Sequence, residues 1–187
     1  MTGAGLAQDK LDLADWRRRV GDLYRLSGPD TLRRFRQGRD ELLRNHPQSP
    51  LALQARQRFN GLRYFDPDPA AKGRCRLEPA DPGDPLEIDT GGEDGVITYR
   101  RTGRLAFVFN GRPCTLTVFS LVGYGGDTVK NTDGLSLELT AGSSDVTIDF
   151  NYAYNPSCAY DARWACPLAP RENWLPVPVR AGEKVFS

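Results

Sequence analysis

Residues 95–119, GVITYRRTGRLAFVFNGRPCTLTVF, decide the fold class. From Gly95 onward the apolar residues recur with a period of two, the mark of half-buried strands. Val96–Arg100, Leu105–Phe109 and Thr115–Phe119 read as three strands. Thr102-Gly103 is expected to join the first pair and Asn110-Gly111 the second. Asn-Gly between apolar runs is a strong hairpin signal, because a type I′ turn needs positive φ at both central residues. Leu135–Leu139 alternates in the same way. The turn Ala141–Asp145 then returns the chain into a strand at Val146–Phe150.

The surroundings fit one soluble domain with an appendage. At 187 residues, 39% hydrophobic and 26% charged, the chain can bury a sizeable core. A formal net charge of +1 gives no global pull towards nucleic acid or an acidic membrane. The first twenty residues lack the apolar run of a signal peptide, and no segment is long and apolar enough to span a bilayer. A cytoplasmic location is therefore expected, with Cys75, Cys114, Cys158 and Cys166 as thiols.

Ahead of the strands lies a helical arm, residues 1–45. Leu13, Trp16, Val20, Leu23 and Tyr24 share a stripe in residues 9–26. Ser27-Gly28-Pro29 stops that helix, and Pro29 suits the first turn of the next, which packs Leu32, Phe35, Leu42 and Leu43 and runs to Asn45. Its arginines read as a solvated face rather than a nucleic-acid surface, since the whole chain is nearly neutral. His46, the one histidine, sits in a proline-locked turn and reads as a hydrogen-bonded turn residue. Leu51–Phe59 is expected to form a short helix, and Leu77, Leu86 and Ile88 are weak strand centres. The second domain, 46–187, is thus an antiparallel β-sandwich or barrel, making the whole mainly β (α+β).

Chemistry concentrates after Val146–Phe150, in a long loop fixed by Pro156, Pro167 and Pro170. Trp174, Leu175, Val177 and Val179 read as a closing strand, with Pro176 and Pro178 marking an edge. A loop so long inside a compact domain is functional or disordered, and its aromatics argue against disorder. Asp149, Glu172 and Glu183 are carboxylates of this region; a pair of them could do acid–base work, with Asp149 or Glu172 as the candidate base. The competing reading is that Asp149 and Glu172 accept backbone N–H bonds and tie the loop down. Tyr124, Asn151, Tyr154, Asn155, Tyr160 and Asn173 are the candidate ligand-binding residues. Neither a cofactor nor a metal is expected: paired Cys-x-x-Cys knuckles are missing, and a lone histidine cannot build a His-rich site. Gly123–Gly126 follows a strand in a β context without the helix or Lys-Ser/Thr of a phosphate loop.

The runs HPQSPL at 46–51, FNGLRYFDPDPA at 59–70, YGG at 124–126, DFNYAYNPSCAYDARWACPLAPREN at 149–173 and AGEK at 181–184 stand out. Taken together they resemble the bacterial domain-of-unknown-function family numbered 1684. The resemblance implies a soluble, β-rich bacterial protein with no established activity, whose signature segments converge on one region. One departure stands out. Relatives carry a further segment after Tyr-Gly-Gly, whereas here Gly126 is followed at once by Asp127-Thr128-Val129-Lys130. Either this chain has lost about two strands, or the sequence skips a stretch there. The second is favoured, because losing both partners of a hairpin exposes sheet edges. A Cα separation across 126–127 well above about 3.8 Å would reveal it.

Three functions follow. The favoured one is a small-molecule-binding β domain with its pocket under the 151–173 loop. The alternatives are a hydrolase or isomerase using Asp149 or Glu172, and an interaction protein docking through its N-terminal helices. Ligand, chemistry and oligomeric state are not legible in the sequence.

Overall fold

The computed structural model describes residues 3–89, 95–121, 136–139, 145–164 and 169–186. Tyr124 and the 126–127 junction lie outside them. The chain divides into two compact units, Met1–Arg63 and Tyr64–Ser187. The His46–Leu51 turn therefore belongs to the helical unit.

That unit holds α1 (Gly3–Tyr24), α2 (Thr31–Asn45) and α3 (Leu53–Arg58). Phe35, Leu42, Leu43 and Leu51 are buried, and Tyr24 packs on Phe35 with ring centroids 5.0 Å apart. Arg39 is buried with them, so the basic residues of α2 are not all on a solvated face. Pro29 does not enter the helix: Gly28 and Asp30 both take positive φ, 88° and 57°, and α2 begins at Thr31. The turn after α2 has no ladder to hold it, and Arg56 supplies the bonds instead. Its guanidinium donates to the carbonyls of His46, Pro47, Ser49 and Leu51. His46 is a turn residue as its neighbours suggest. Its Nδ1 accepts from the Gln48 N–H, and its Nε2 lies 3.3 Å from an Asp15 carboxylate oxygen on α1.

Among its described residues the second unit has six antiparallel strands: β1 (Lys72–Pro79), β2 (Leu86–Asp89), β3 (Val96–Phe109), β4 (Arg112–Leu121), β5 (Ser136–Leu139) and β6 (Asp145–Asp149). Strand β3 is the spine. One of its edges pairs with β4, and the other pairs with β2 over its first half and β1 over its second. Pairing continues from β1 to β6 to β5 and does not close on itself among the described residues. The whole is α+β and mainly sheet, led by a helical segment.

One expected turn is absent. Thr102-Gly103 does not join two strands; β3 runs straight through it with a bulge between Arg101 and Gly103. Gly103 is needed for close approach: a Cβ there would meet the Leu77 side chain and the Glu78 carbonyl of β1. The bulge also changes which face the side chains take, since one extra residue shifts the period-2 alternation. Before it, Tyr99 and Phe119 form a small apolar cluster with Leu86, Ile88 and Ile97. After it, Leu105, Phe109, Leu116 and Val118 join Cys75, Val146, Ile148 and Phe150 in the main core on the other face. The Asn110-Gly111 hairpin forms as its sequence requires, with φ of 51° and 72°.

The closing strand is the other correction. Residues 174–180 make no ladder, yet they keep the period: Leu175, Val177 and Val179 pack on the main core, while Trp174, Pro176 and Pro178 are exposed. Prolines have no N–H to donate, so the segment packs like a strand without pairing like one.

Candidate functional site

The connector that follows β6 is fastened by side chains rather than by secondary structure. Asp149 ends the strand and caps a 3-10 turn at Phe150–Tyr152, accepting from the Asn151 N–H. The same oxygen accepts from Asn151 Nδ2 at 2.9 Å. Lys72 Nζ lies 3.8 Å from its other oxygen. Asn151 is buried and clamps a second loop: its Oδ1 accepts from the Asp68 N–H at 2.8 Å and its Nδ2 donates to the Asp68 carbonyl at 2.9 Å. Both carboxamide ends are thus placed on the backbone of one residue. Asp68 in turn caps the turn at Pro69–Ala71, which leads into β1.

A C-terminal segment, residues 181–184, is threaded against this loop. Gly182 has φ +73°, and a Cβ there would lie 2.5 Å from the Ala153 carbonyl and 2.8 Å from that of Phe150. Only glycine fits both the dihedral and the space. The approach lets Gly182 accept from the Phe65 N–H and lets the Glu183 N–H donate to Ala153. It also brings the Glu183 side chain inward, where the residue is 9% exposed. The Glu183 carboxylate accepts from Asn155 Nδ2 at 3.0 Å and from the Tyr160 hydroxyl. Asn155 also donates to the Lys184 carbonyl. Behind Tyr160 the Phe186 ring packs edge-on, centroids 5.2 Å apart.

At the far end of the connector Glu172 and Asn173 meet the sheet. Asn173 Oδ1 accepts from the Thr117 N–H at 2.6 Å, and its Nδ2 donates to the Thr117 carbonyl at 3.0 Å. Glu172 receives Arg101 through Nε and Nη2 and the Thr117 hydroxyl at 2.8 Å. Burial pushes the Glu172 carboxyl up, but the bonds from Arg101 and Thr117 outweigh it and hold it below the usual glutamate range. The same pairing raises Arg101.

The expected site residues thus fall into three groups, with Tyr124 outside the described residues. Asp149 and Asn151 hold the loop's first turn; Asn155 and Tyr160 converge on Glu183; Glu172 and Asn173 hold the β4 edge. Tyr154 is half-buried. Glu183, central to the second group, has one sequence signal, its place in the AGEK run. Asp68 has the same kind of signal, its place in the 59–70 run. Arg101 and Thr117 have none, because their partner Glu172 lies 71 and 55 residues away in the chain. Cys75 and Cys114 are buried thiols, and burial pushes the Cys75 thiol up; Cys166 lies outside the described residues. Among the described residues, no group of three His, Cys, Asp or Glu is placed to hold a metal ion, and no helix is long and apolar enough to cross a membrane.

Comparison with known proteins adds fold and kinship. No curated protein matches the chain. A solution NMR structure of an uncharacterized protein from Haloarcula marismortui is similar, with 26% identity and a TM-score of 0.55. The match covers 81% of this chain and 91% of that one. The family described as "Protein of unknown function (DUF1684)" matches residues 57–184, a span that takes in the three fastened groups above. With that match over most of its length, the chain belongs to the DUF1684 family.

Proposed function

We propose that the Tyr64–Ser187 unit is a cytoplasmic small-molecule-binding β domain. Its ligand sits against the 151–173 loop, with polar contacts from Tyr154 and from Asn155 and Tyr160, the two that Glu183 holds. The observation that carries this reading is the Glu183 carboxylate, a buried acceptor on which Asn155 and Tyr160 both converge. Ligand sites commonly combine a few convergent polar groups with aromatic walls, and Tyr160 and Phe186 supply such a wall. Asn151 and Asn173 already place both amide ends on backbone groups, so their part is to fix the loop's shape. The acid–base alternative has less behind it, because Glu172 is bidentate on Arg101 and Asp149 is spent on a cap.

Native mass spectrometry of the purified protein tests the reading. A small molecule of discrete mass should accompany the chain and be lost from an Asn155→Ala, Tyr160→Phe variant that still unfolds cooperatively. Bare chain alone, together with no saturable thermal shift across a metabolite panel, would sink it.

A second reading, docking through the N-terminal helices, has one observation in its favour. Basic residues outnumber acidic ones in the helical unit, and the reverse holds in the sheet unit. Salt-sensitive capture of an acidic partner by residues 1–63 would support it.

A further inference from the structure

Strand β4 carries a liability in its own sequence. Thr115–Leu121, TLTVFSL, has seven residues with no charge, proline or glycine and a high share of β-branched and aromatic side chains. Such windows pair readily with copies of themselves when they lie at an edge. Strand β4 is an edge here: β3 occupies one side, and no strand occupies the other among the described residues. Proteins blunt such edges with charge, proline or a covering segment. This strand has neither charge nor proline within the window.

What stands at the edge is the segment Arg171–Trp174. The Asn173 carboxamide occupies the N–H and C=O of Thr117 together, the two groups an incoming strand would use. The residue is 6% exposed, so water does not compete for those bonds. Beside it Glu172 holds the Thr117 hydroxyl and brings the Arg101 ion pair to the same place. The chain before and after this point is rich in proline, at 170, 176 and 178, which rules out a full ladder on β4.

We propose that residues 171–174 are an edge guard: the Asn173 amide stands in for one rung of a strand and keeps β4 from pairing antiparallel with β4 of a second copy of this chain. The guard works by occupancy at Thr117 and by the charge that Glu172 and Arg101 place beside it. Fastening through side chains alone makes it releasable without unravelling the sheet.

The test is the oligomeric state of the full chain by light scattering after size exclusion, between about 10 and 200 µM. Wild type should be monomeric. Asn173→Asp keeps the shape and the bond from the Thr117 N–H, but it loses the donor to the Thr117 carbonyl and sets a charge against it. This variant should form dimers or larger species that grow with concentration, while keeping a cooperative unfolding curve. Asn173→Ala should do so more strongly. Adding Thr117→Pro, which deletes the outward N–H without touching the β3 ladder, should return either variant to monomer. Monomeric behaviour of both Asn173 variants across the range overturns the proposal. So does association that Thr117→Pro leaves unchanged, since another surface would then be responsible. Wild type that already associates through β4 overturns it as well.

Discussion

Asn151 and Asn173 each put both ends of one carboxamide onto the backbone N–H and C=O of a single residue, Asp68 in one case and Thr117 in the other. Both are 6% exposed, and the bond lengths are similar. Their settings differ. Asn151 joins two irregular segments, neither of which has a ladder to fall back on, and Asp149 accepts from its side chain as well. Asn173 joins an irregular segment to a strand whose outward groups could take water or another strand instead. Asp68 and Thr117 are both half-buried, so the difference lies in what can replace the clamp: loss of the first frees groups with no neighbouring strand, and loss of the second leaves an edge that can find other partners. The same chemistry therefore stabilises by different amounts according to what replaces it.

The strongest way to break the Asn151 side is from below, at Gly182. A Cβ there meets two carbonyl oxygens of the loop that Asn151 anchors, and the positive φ adds strain. Gly182→Ala should cost about 3–4 kcal/mol by denaturant unfolding. Gly111→Ala is the matched control. It has φ +72° with nothing within 4 Å of the added carbon, so only the dihedral cost of about 1 kcal/mol should appear. Equal losses at the two sites would mean that the packing of residues 181–184 contributes little.

The clamps themselves come next. Asn151→Ala removes three hydrogen bonds and leaves the Asp68 groups without their partners, for an expected loss of about 2–3 kcal/mol. Asn173→Ala removes two, and the freed Thr117 groups lie at an edge that water can reach, so about 1–2 kcal/mol is expected. Measured costs in the reverse order would break the distinction drawn between loop clamp and edge clamp.

Why the sequence disclosed some of this and not the rest follows from the same residues. Asn110-Gly111 was legible because its turn is dictated by dihedrals that two adjacent residues carry alone. Thr102-Gly103 looked equivalent, but its glycine answers to Leu77 of β1, which local pattern cannot see. Leu77, Leu86 and Ile88 marked β1 and β2 only weakly, because each strand is short or largely exposed and carries few apolar residues. The prolines at 176 and 178 signalled an edge correctly in spirit, but they also removed the ladder. At the candidate site, the residue types were visible in the signature run, whereas their pairing was not. Arg101 lies 71 positions from Glu172, and nothing near either one names the other.

The smallest expected effect sharpens the comparison at its electrostatic end. The Glu172 carboxyl is depressed in the folded protein: its bonds from Arg101 and Thr117 prevail over the upward push of burial. A group whose folded pKa lies below its unfolded value contributes stability above the unfolded value, about 4.3 for glutamate. That contribution is lost as pH falls through the depressed folded value. The pair is about a third exposed, so solvent screening keeps its worth below about 1 kcal/mol. Asp40, raised by burial, runs the opposite way. The difference between wild type and Glu172→Gln isolates the one group. That difference should be constant near neutrality, shrink below about pH 4.3 and vanish at lower pH. A gap that persists unchanged to pH 2 would mean that Glu172 holds the β4 edge as a neutral hydrogen-bonding group. The contrast with the uncharged Asn151 clamp would then be one of geometry alone.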